Sequence, residues 1–451
     1  MQNFERYKII IVGSGLAAYS VIQKFKNSDV PILIIEGGSL DIEKKNEALQ
    51  ENYHYGQLNH WNLHWLRVLG GTSKIWGGMT STLSKSDLKS WPLDYEELKR
   101  YYIAAWNLVG QDGNKIIDLY ENNLTNNTQF NYKPFVFTDP KIVELTDYKK
   151  FSNVDLIKSA NLVKLISQNR KSITGLKIFY EGKYVTKEIK DHQKLVLAMG
   201  GLGNAQILLQ PNNNNNEKIS IGNESGLVGK YLMEHPHVSY SGDIYYKKEM
   251  LPKVKNLDLQ PAFVLNDNYR FKKKLLNCSL SIEDIDTEDE KEQEVFEKII
   301  GTKLTHGHIY ARSEQEPLEI NSLTLTNEKN WAGIHKLRIR HSFSALDLIS
   351  IEEHNKLFGE YLVSKNLGFV KIINDEIYKN AQGGGHTMGT TRMGESINDS
   401  VCNKNNKVHG YENLFLSGSS VFTTGGASNP TISIIALGLR LSNYLKENLN
   451  V

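Results

Sequence analysis

The apolar positions of this chain fall into one arrangement that recurs three times. In "YKIIIVGSGLAAYSVIQKFKNSDVPILIIEGG", residues 7–38, a β-branched run meets a glycine turn, passes into a helical stretch and returns as a second apolar strand. That order predicts a βαβ unit with parallel strands. "KLVLAMGGLGNAQILL" at 194–209 repeats apolar strand, glycines and helix, and so does "NLFLSGSSVFTTGGASNPTISIIALGLRLSNYL" at 413–445. Early, middle and late segments are therefore expected in one sheet.

The intervening pattern is less regular. "WPLDYEELKRYYIAAWNLVG" from Trp91 opens on Asp94 and a glutamate pair, the signature of a capped helix start. Alternating segments from Asn161 to Ile178 predict a hairpin-like excursion. The polar stretch near 122–132 and the run "PNNNNNEK" from Pro211 read as loops. Residues 238–380 mix strand-like runs with charged insertions such as "EDIDTEDEKEQEVFEK" and are expected to form a second domain.

Composition narrows the partners. A chain of 451 residues exceeds one simple core, so two domains are expected. Lys and Arg number 53 against 51 Asp and Glu, and a net charge of +2 provides no broad footprint for nucleic acid or an anionic membrane. Small molecules are the expected partners. Cys278 and Cys402 are too few for a disulfide framework and form no C-x-x-C pair, which fits a reducing compartment. The polar lead "MQNFERYK" leaves no room for a cleaved signal, and no window approaches the roughly 18 apolar residues of a membrane span. The expectation is a cytoplasmic protein.

Gly13, Gly15 and Ala18 form G-x-G-x-x-A between a predicted strand and helix: a tight turn, a close backbone approach to a pyrophosphate, and a small residue for helix packing. Glu36 follows Gly15 by 21 residues at the end of the second strand, where a carboxylate can accept both ribose hydroxyls. This turn alone fits either NAD or FAD. The further glycine segments at 70–79, 198–203 and 417–431 favour a flavin, whose ribityl chain and ring need additional backbone contacts.

"GGGHTMGTTRMG" at 383–394 places His386 among five glycines, where an imidazole can handle a proton. No G-x-S-x-G elbow is present, and "GLVGKY" puts Tyr231 where a phosphate-binding loop needs Ser or Thr. His235 and His237 flank Pro236 at a spacing unlike a helical zinc site, so no metal is expected there and the "EHP" segment reads as scaffold.

"VGSGLAA" with Glu36, "GGTSKIWGGM" at 70–79, "VLAMGGLGNAQILL" at 196–209, "GLVGKYLMEHP" at 226–236, "HTMGTTRMG" at 386–394 and the block at 413–441 together resemble the glucose–methanol–choline family of FAD-dependent oxidoreductases. The motif form is nearest to its pyranose oxidase-like branch. The resemblance implies an α/β fold: a discontinuous Rossmann-like FAD-binding domain at 1–90, 155–237 and 381–451, interleaved with an α+β substrate-binding domain at 91–154 and 238–380. It implies FAD contacts at Gly13, Gly15, Leu16, Ala17, Glu36, Gly71, Thr72, Trp76, Ala198, Gly200, Gly418, Ser419, Pro430 and Thr431. Gly77, Gly78 and Met79 should pass the N5 side of the flavin, and Val163 matches the position where a valine backbone meets adenine.

The same resemblance places His386 and Asn429 at the reactive edge of the flavin as the catalytic pair. His386 takes the hydroxyl proton of a sugar or polyol-like alcohol while the adjacent carbon gives hydride to flavin N5, and Asn429 orients the oxygen. Asn429 also stands just before Pro430, where it could cap the terminal helix. Arg392 is read as tying the loop to its neighbours. Where pyranose oxidase carries a histidine bonded to the flavin, this sequence has Ile75, so non-covalent FAD is expected; His64 lies nearby but outside the motif. The electron acceptor stays unassigned. A non-redox lyase reaction on the same scaffold and an FAD-binding subunit without turnover are the alternative readings.

Overall fold

The protein is described by a computed structural model over residues 3–43, 52–56, 65–123, 129–139, 148–168, 171–211, 221–285 and 290–449. His64 and the run after Pro211 lie outside the described residues, as do 124–128 of the predicted polar loop.

Strand Ile9–Val12 is the centre of a parallel sheet. It pairs with Ile32–Ile35 on one side and Lys194–Leu197 on the other, and Val154–Ile157 and Leu414–Leu416 complete the five strands. Ile9, Ile11, Ile32 and Ile34 enter one apolar cluster, while Ile10, Val12, Leu33 and Ile35 enter another. The period-two alternation thus buries both faces, as parallel strands require. The three recurrences in the sequence do share this sheet. Each strand ends in a glycine-rich turn, two of which open directly on helices Leu16–Val21 and Gly200–Leu209. The third, after Leu414–Leu416, leads to helix Thr431–Asn448, whose Gly438 lies so close to the first helix that a Cβ there would press on Ser20.

The second unit is built on a seven-stranded antiparallel sheet. Its path is Gly368–Ile372, Pro236–Tyr246, Thr305–Ser313, Cys278–Asp284, Ala262–Leu265 and Phe130–Tyr132, with Gln382–Gly383 added beside Pro236–His237. Phe130–Tyr132, read from its polar surroundings as loop, is thus an edge strand; its Phe130 and Tyr132 are buried in the core of this sheet. Helix Ala345–Ser364 covers the sheet and starts with a capping box formed by Ser344 and Asp347. The helix predicted from Asp94 is Tyr95–Leu108, and the Asp94 side chain accepts a hydrogen bond from Glu96 N at 2.9 Å.

Two segments expected in the second unit pack against the first. The hairpin Ser322–Lys329 and His335–His341 lies on helix Gly200–Leu209, because its Leu323, Leu337 and Ile339 join the core that contains Leu208. Helix Tyr95–Leu108 lies on the terminal helix, joined by Tyr102 Oη and Ser433 Oγ at 3.0 Å and by Arg440 Nε and Glu97 Oε1 at 2.8 Å. Tertiary contacts override sequence order in both cases.

Candidate active site

A cavity of about 680 Å³ runs from the first glycine turn, where Glu36 lies, to the second sheet, where His237, Tyr310 and Arg312 line it. Its walls come from residues as far apart as Val12 and Ile434.

At the first end, Gly13 adopts φ +101°, and a Cβ there would collide with the carbonyl of Ala198, just past the neighbouring strand. Only glycine satisfies both demands. Glu36 is buried and accepts from Ser14 Oγ and from Gly38 N, each at 2.6 Å. Burial raises its pKa despite these bonds and the nearby Arg67 guanidinium. Each carboxyl oxygen still has acceptor capacity for a ribose hydroxyl. Arg67, whose own pKa burial lowers to about 10, lies over Trp65 at 4.8 Å and donates to Asn161 Oδ1 at 3.2 Å. Sequence reasoning missed Arg67, because nothing in its local pattern separates it from a surface arginine.

The expected cofactor contacts Gly13, Gly15, Leu16, Ala17, Gly71, Thr72, Trp76, Gly77, Met79, Ala198, Gly200, Gly418, Ser419, Pro430 and Thr431 all line this cavity. Gly78 does not; its carbonyl instead accepts from Thr138 N at 2.9 Å. Val163 is also off the wall, since a register irregularity between Leu162 and Lys164 leaves Leu162 lining the cavity while Val163 packs with Ala332 and Ile334. An extended dinucleotide suits the residues that are present. Gly77 and Gly200 have open space where a Cβ would stand, and Trp76 Nε1 and Arg67 Nε are buried without a hydrogen-bond partner among the described residues.

At the far end, His386 is held by its loop. Gly201 of the second helix approaches Thr387 so closely that a Cβ would overlap the Thr387 carbonyl, and Thr390 Oγ1 donates to Gly201 O. Gly389 N donates to Ser419 O at 3.1 Å and Thr391 N to Ser420 O at 2.8 Å, tying the loop to the glycine turn before the terminal helix. Arg392 faces away from the cavity, its guanidinium 4.4 Å from the centre of the Tyr231 ring.

The "EHP" segment, expected as scaffold, surrounds this histidine. Met233 and Met388 exchange backbone hydrogen bonds of 3.0 and 2.9 Å, Glu234 Oε2 accepts from His386 N at 2.7 Å, and His235 Nδ1 lies 3.0 Å from His386 Nδ1. The His237 ring centre is 5.3 Å from that of His386. Among the described residues no group of three or more His, Cys, Asp or Glu forms a metal site.

The contacts of His235 fix the tautomer of His386. His235 is fully buried, which lowers its pKa and keeps it neutral near pH 7. Its Nε2 lies 3.1 Å from the carbonyl oxygen of Gly425, an atom that can only accept, so the His235 proton resides on Nε2. His235 Nδ1 is then an acceptor, and the 3.0 Å contact requires the His386 proton on Nδ1. Nε2 of His386 is left as the basic nitrogen.

Asn429 does not cap the terminal helix. The residue before Thr431 is Pro430, which makes no side-chain cap hydrogen bond, and Asn429 Nδ2 donates to Met79 O at 2.9 Å. That bond fixes the amide plane where Asn429 lines the cavity, with its oxygen and second amide hydrogen left for a ligand.

A parallel glycine-turn sheet, a long cavity crossing to an antiparallel sheet, and a tautomerically fixed histidine at the far end make a site suited to an extended dinucleotide. Residues 321–438 match the family model of GMC oxidoreductases, that is, the glucose–methanol–choline family. The chain is 27% identical over 271 residues to a 2-methyl-1,2-propanediol dehydrogenase of Mycolicibacterium austroafricanum, a match covering 56% of this chain and 48% of the relative. It is 23% identical over 313 residues to a fructose dehydrogenase large subunit of Gluconobacter japonicus, covering 65% and 54% respectively. The chain thus spans about half the length of these curated relatives. Over 98% of the chain the fold matches pyridoxine 4-oxidase (Mesorbium loti; TM-score 0.61, 13% identity, 99% of that chain). It likewise matches a formate oxidase variant of Aspergillus oryzae over 98% of both chains, with TM-score 0.65 and 15% identity. Residues 321–438 thus carry the GMC oxidoreductase signature, and the fold of the chain is that of the solved structures it matches.

Proposed function

We propose that the protein is an FAD-dependent oxidoreductase that converts a hydroxyl of a sugar or polyol-like alcohol to a carbonyl, with His386 as the base. The observation that carries this reading is the fixed tautomer: the His386 proton sits on Nδ1 against His235, so Nε2 is the nitrogen that takes up the hydroxyl proton. Bound FAD supplies the two-electron acceptor for the hydride of the same carbon. Asn429, held by Met79, orients the alcohol oxygen, and the first turn of the terminal helix presents its positive dipole end to the cavity through Thr431. Glu36 and Arg67 hold the adenosine end.

Non-covalent attachment of FAD is part of the proposal. Ile75 stands in the glycine segment where a linking histidine would be, and the thiols of Cys278 and Cys402 are buried away from the cavity wall. The alcohol and sugar dehydrogenases among the relatives support the substrate class. The test is anaerobic stopped-flow mixing of the yellow holoprotein with sugars, sugar alcohols and glycosides, following loss of flavin absorbance. His386→Ala is expected to slow flavin reduction by at least about a hundredfold while FAD stays bound. Bleaching by none of these alcohols, or an unchanged rate in the variant, overturns the reading.

A further inference from the structure

The substrate end of the cavity contains a buried cation that no described acid neutralises. Arg312 is 6% exposed and lines the cavity. It is the cross-strand partner of His237, and Tyr310, two residues before it, also lines the cavity and hydrogen-bonds His237 Nδ1 at 2.9 Å. His237 in turn stands beside His386. Arg312 therefore belongs to the wall that faces the proton-accepting histidine.

Its direct contacts are neutral. One guanidinium N–H donates to Ser281 Oγ at 2.7 Å, and the group lies over the rings of Tyr310 and Phe135 at 4.0 and 4.9 Å. Its other N–H groups make no hydrogen bond to a described residue. Glu283, an exposed residue, acts on it only through space. Arg270 and Arg440, buried to the same extent, contrast with it: Arg270 pairs with Asp267 and Arg440 with Glu97, both at 2.8 Å. The acid on the cavity wall is Glu36, which lies at the dinucleotide end. A buried charge without a counter-ion is costly unless an anion joins it, and a guanidinium fork matches the planar oxygens of a carboxylate or the oxygens of a phosphate.

Resting on the oxidoreductase reading above, we propose that Arg312 receives an anionic group of the substrate, so that the substrate class is an alcohol bearing a carboxylate or phosphate, such as a sugar acid or sugar phosphate. The hydroxyl to be oxidised is then presented to His386 while the anion is anchored on the second sheet. Neutral polyols lack the anchor and bind weakly.

The experiment compares glucitol, gluconate and glucitol 6-phosphate in anaerobic flavin reduction by the holoprotein, with succinate as a non-reacting probe read by its perturbation of the flavin spectrum. At least one anionic alcohol is expected to show an apparent Kd about ten- to a hundredfold below that of glucitol, the range of a charge-assisted hydrogen bond. Whether gluconate or the phosphate gains identifies the anion. Arg312→Gln is expected to bring the ratio of anionic to neutral alcohol close to one and to weaken succinate binding by a similar factor, while Arg312→Lys, which keeps the charge, restores part of both. Equal affinity for glucitol and both anionic alcohols, or succinate binding that Arg312→Gln does not change, overturns the inference and leaves the oxidoreductase reading standing. Absence of bleaching by all three alcohols counts against oxidation itself, and the succinate measurement then still decides the role of Arg312.

Discussion

The proton of His386 has one residence because His235 has no other way to satisfy a carbonyl. His235→Leu removes the acceptor for His386 Nδ1–H and leaves that donor buried, whereas a glutamine oxygen at the same position restores an acceptor. We expect His235→Leu to lower the limiting rate of flavin reduction about tenfold, roughly the 1.4 kcal/mol of one lost neutral hydrogen bond. The acidic limb of the pH profile should also move to lower pH, since the imidazolium loses a stabilising acceptor, and His235→Gln should recover both. A rate loss with an unmoved limb would mark His235 as structural only. The chain order could not disclose this pair: His235 and His386 lie 151 positions apart and meet only because strand Pro236–Tyr246 takes Gln382–Gly383 as its neighbour. The glycine spacing near Gly13 was legible because turn, strand and helix are contiguous there.

Elements explain where local patterns transfer and where they fail. β-branched runs followed by glycine turns identified the parallel strands, because burial of both faces leaves few other sequences possible. The hairpin Ser322–His341 escaped that logic; its alternation is legible, but the helix on which it rests is a tertiary choice made by Leu323, Leu337 and Ile339. Leu162 and Val163 show a similar point on a smaller scale: beside a register irregularity Leu162 lines the cavity while the Val163 side chain packs with Ala332 and Ile334. The docking of the His386 loop on helix Gly200–Leu209 depends on Gly201. Gly201→Ala must push Thr387 outward, so we expect it to weaken FAD retention and slow flavin reduction at least tenfold, with secondary structure by circular dichroism preserved. Wild-type reduction kinetics in Gly201→Ala would show that the loop does not need this close approach.

At the scale of the whole molecule, a buried polar network joins parts of the chain that no sequence window connects. Burial opposes the charge of Asp87, yet Lys133 and Arg270 hold its pKa below the usual carboxylate range. Glu314, against the same Asp87, is pushed up to about 7 by burial and by that neighbouring charge, while Asn277 N donates to its Oε2 at 3.1 Å. The folded protein therefore binds a proton at Glu314 more tightly than the unfolded chain does. The stability from this group is fully present below the ordinary glutamate range near pH 4.5 and is lost as pH rises through 7. We expect Glu314→Gln to flatten the fall in thermal midpoint between pH 5 and pH 7, measured by calorimetry on the holoprotein; an equal slope in both proteins would remove Glu314 as the titrating group.

The route of the cavity wall, from Val12 through the second sheet to Ile434, bears on biosynthesis. A ribosome that has delivered the Glu36 carboxylate and even the His386 loop has not yet produced the amide at 429 or the helical turn behind it. The nascent polypeptide then offers an unfinished receptacle, and on the reading proposed above capture of the prosthetic group waits until the segment through residue 434 has left the exit tunnel.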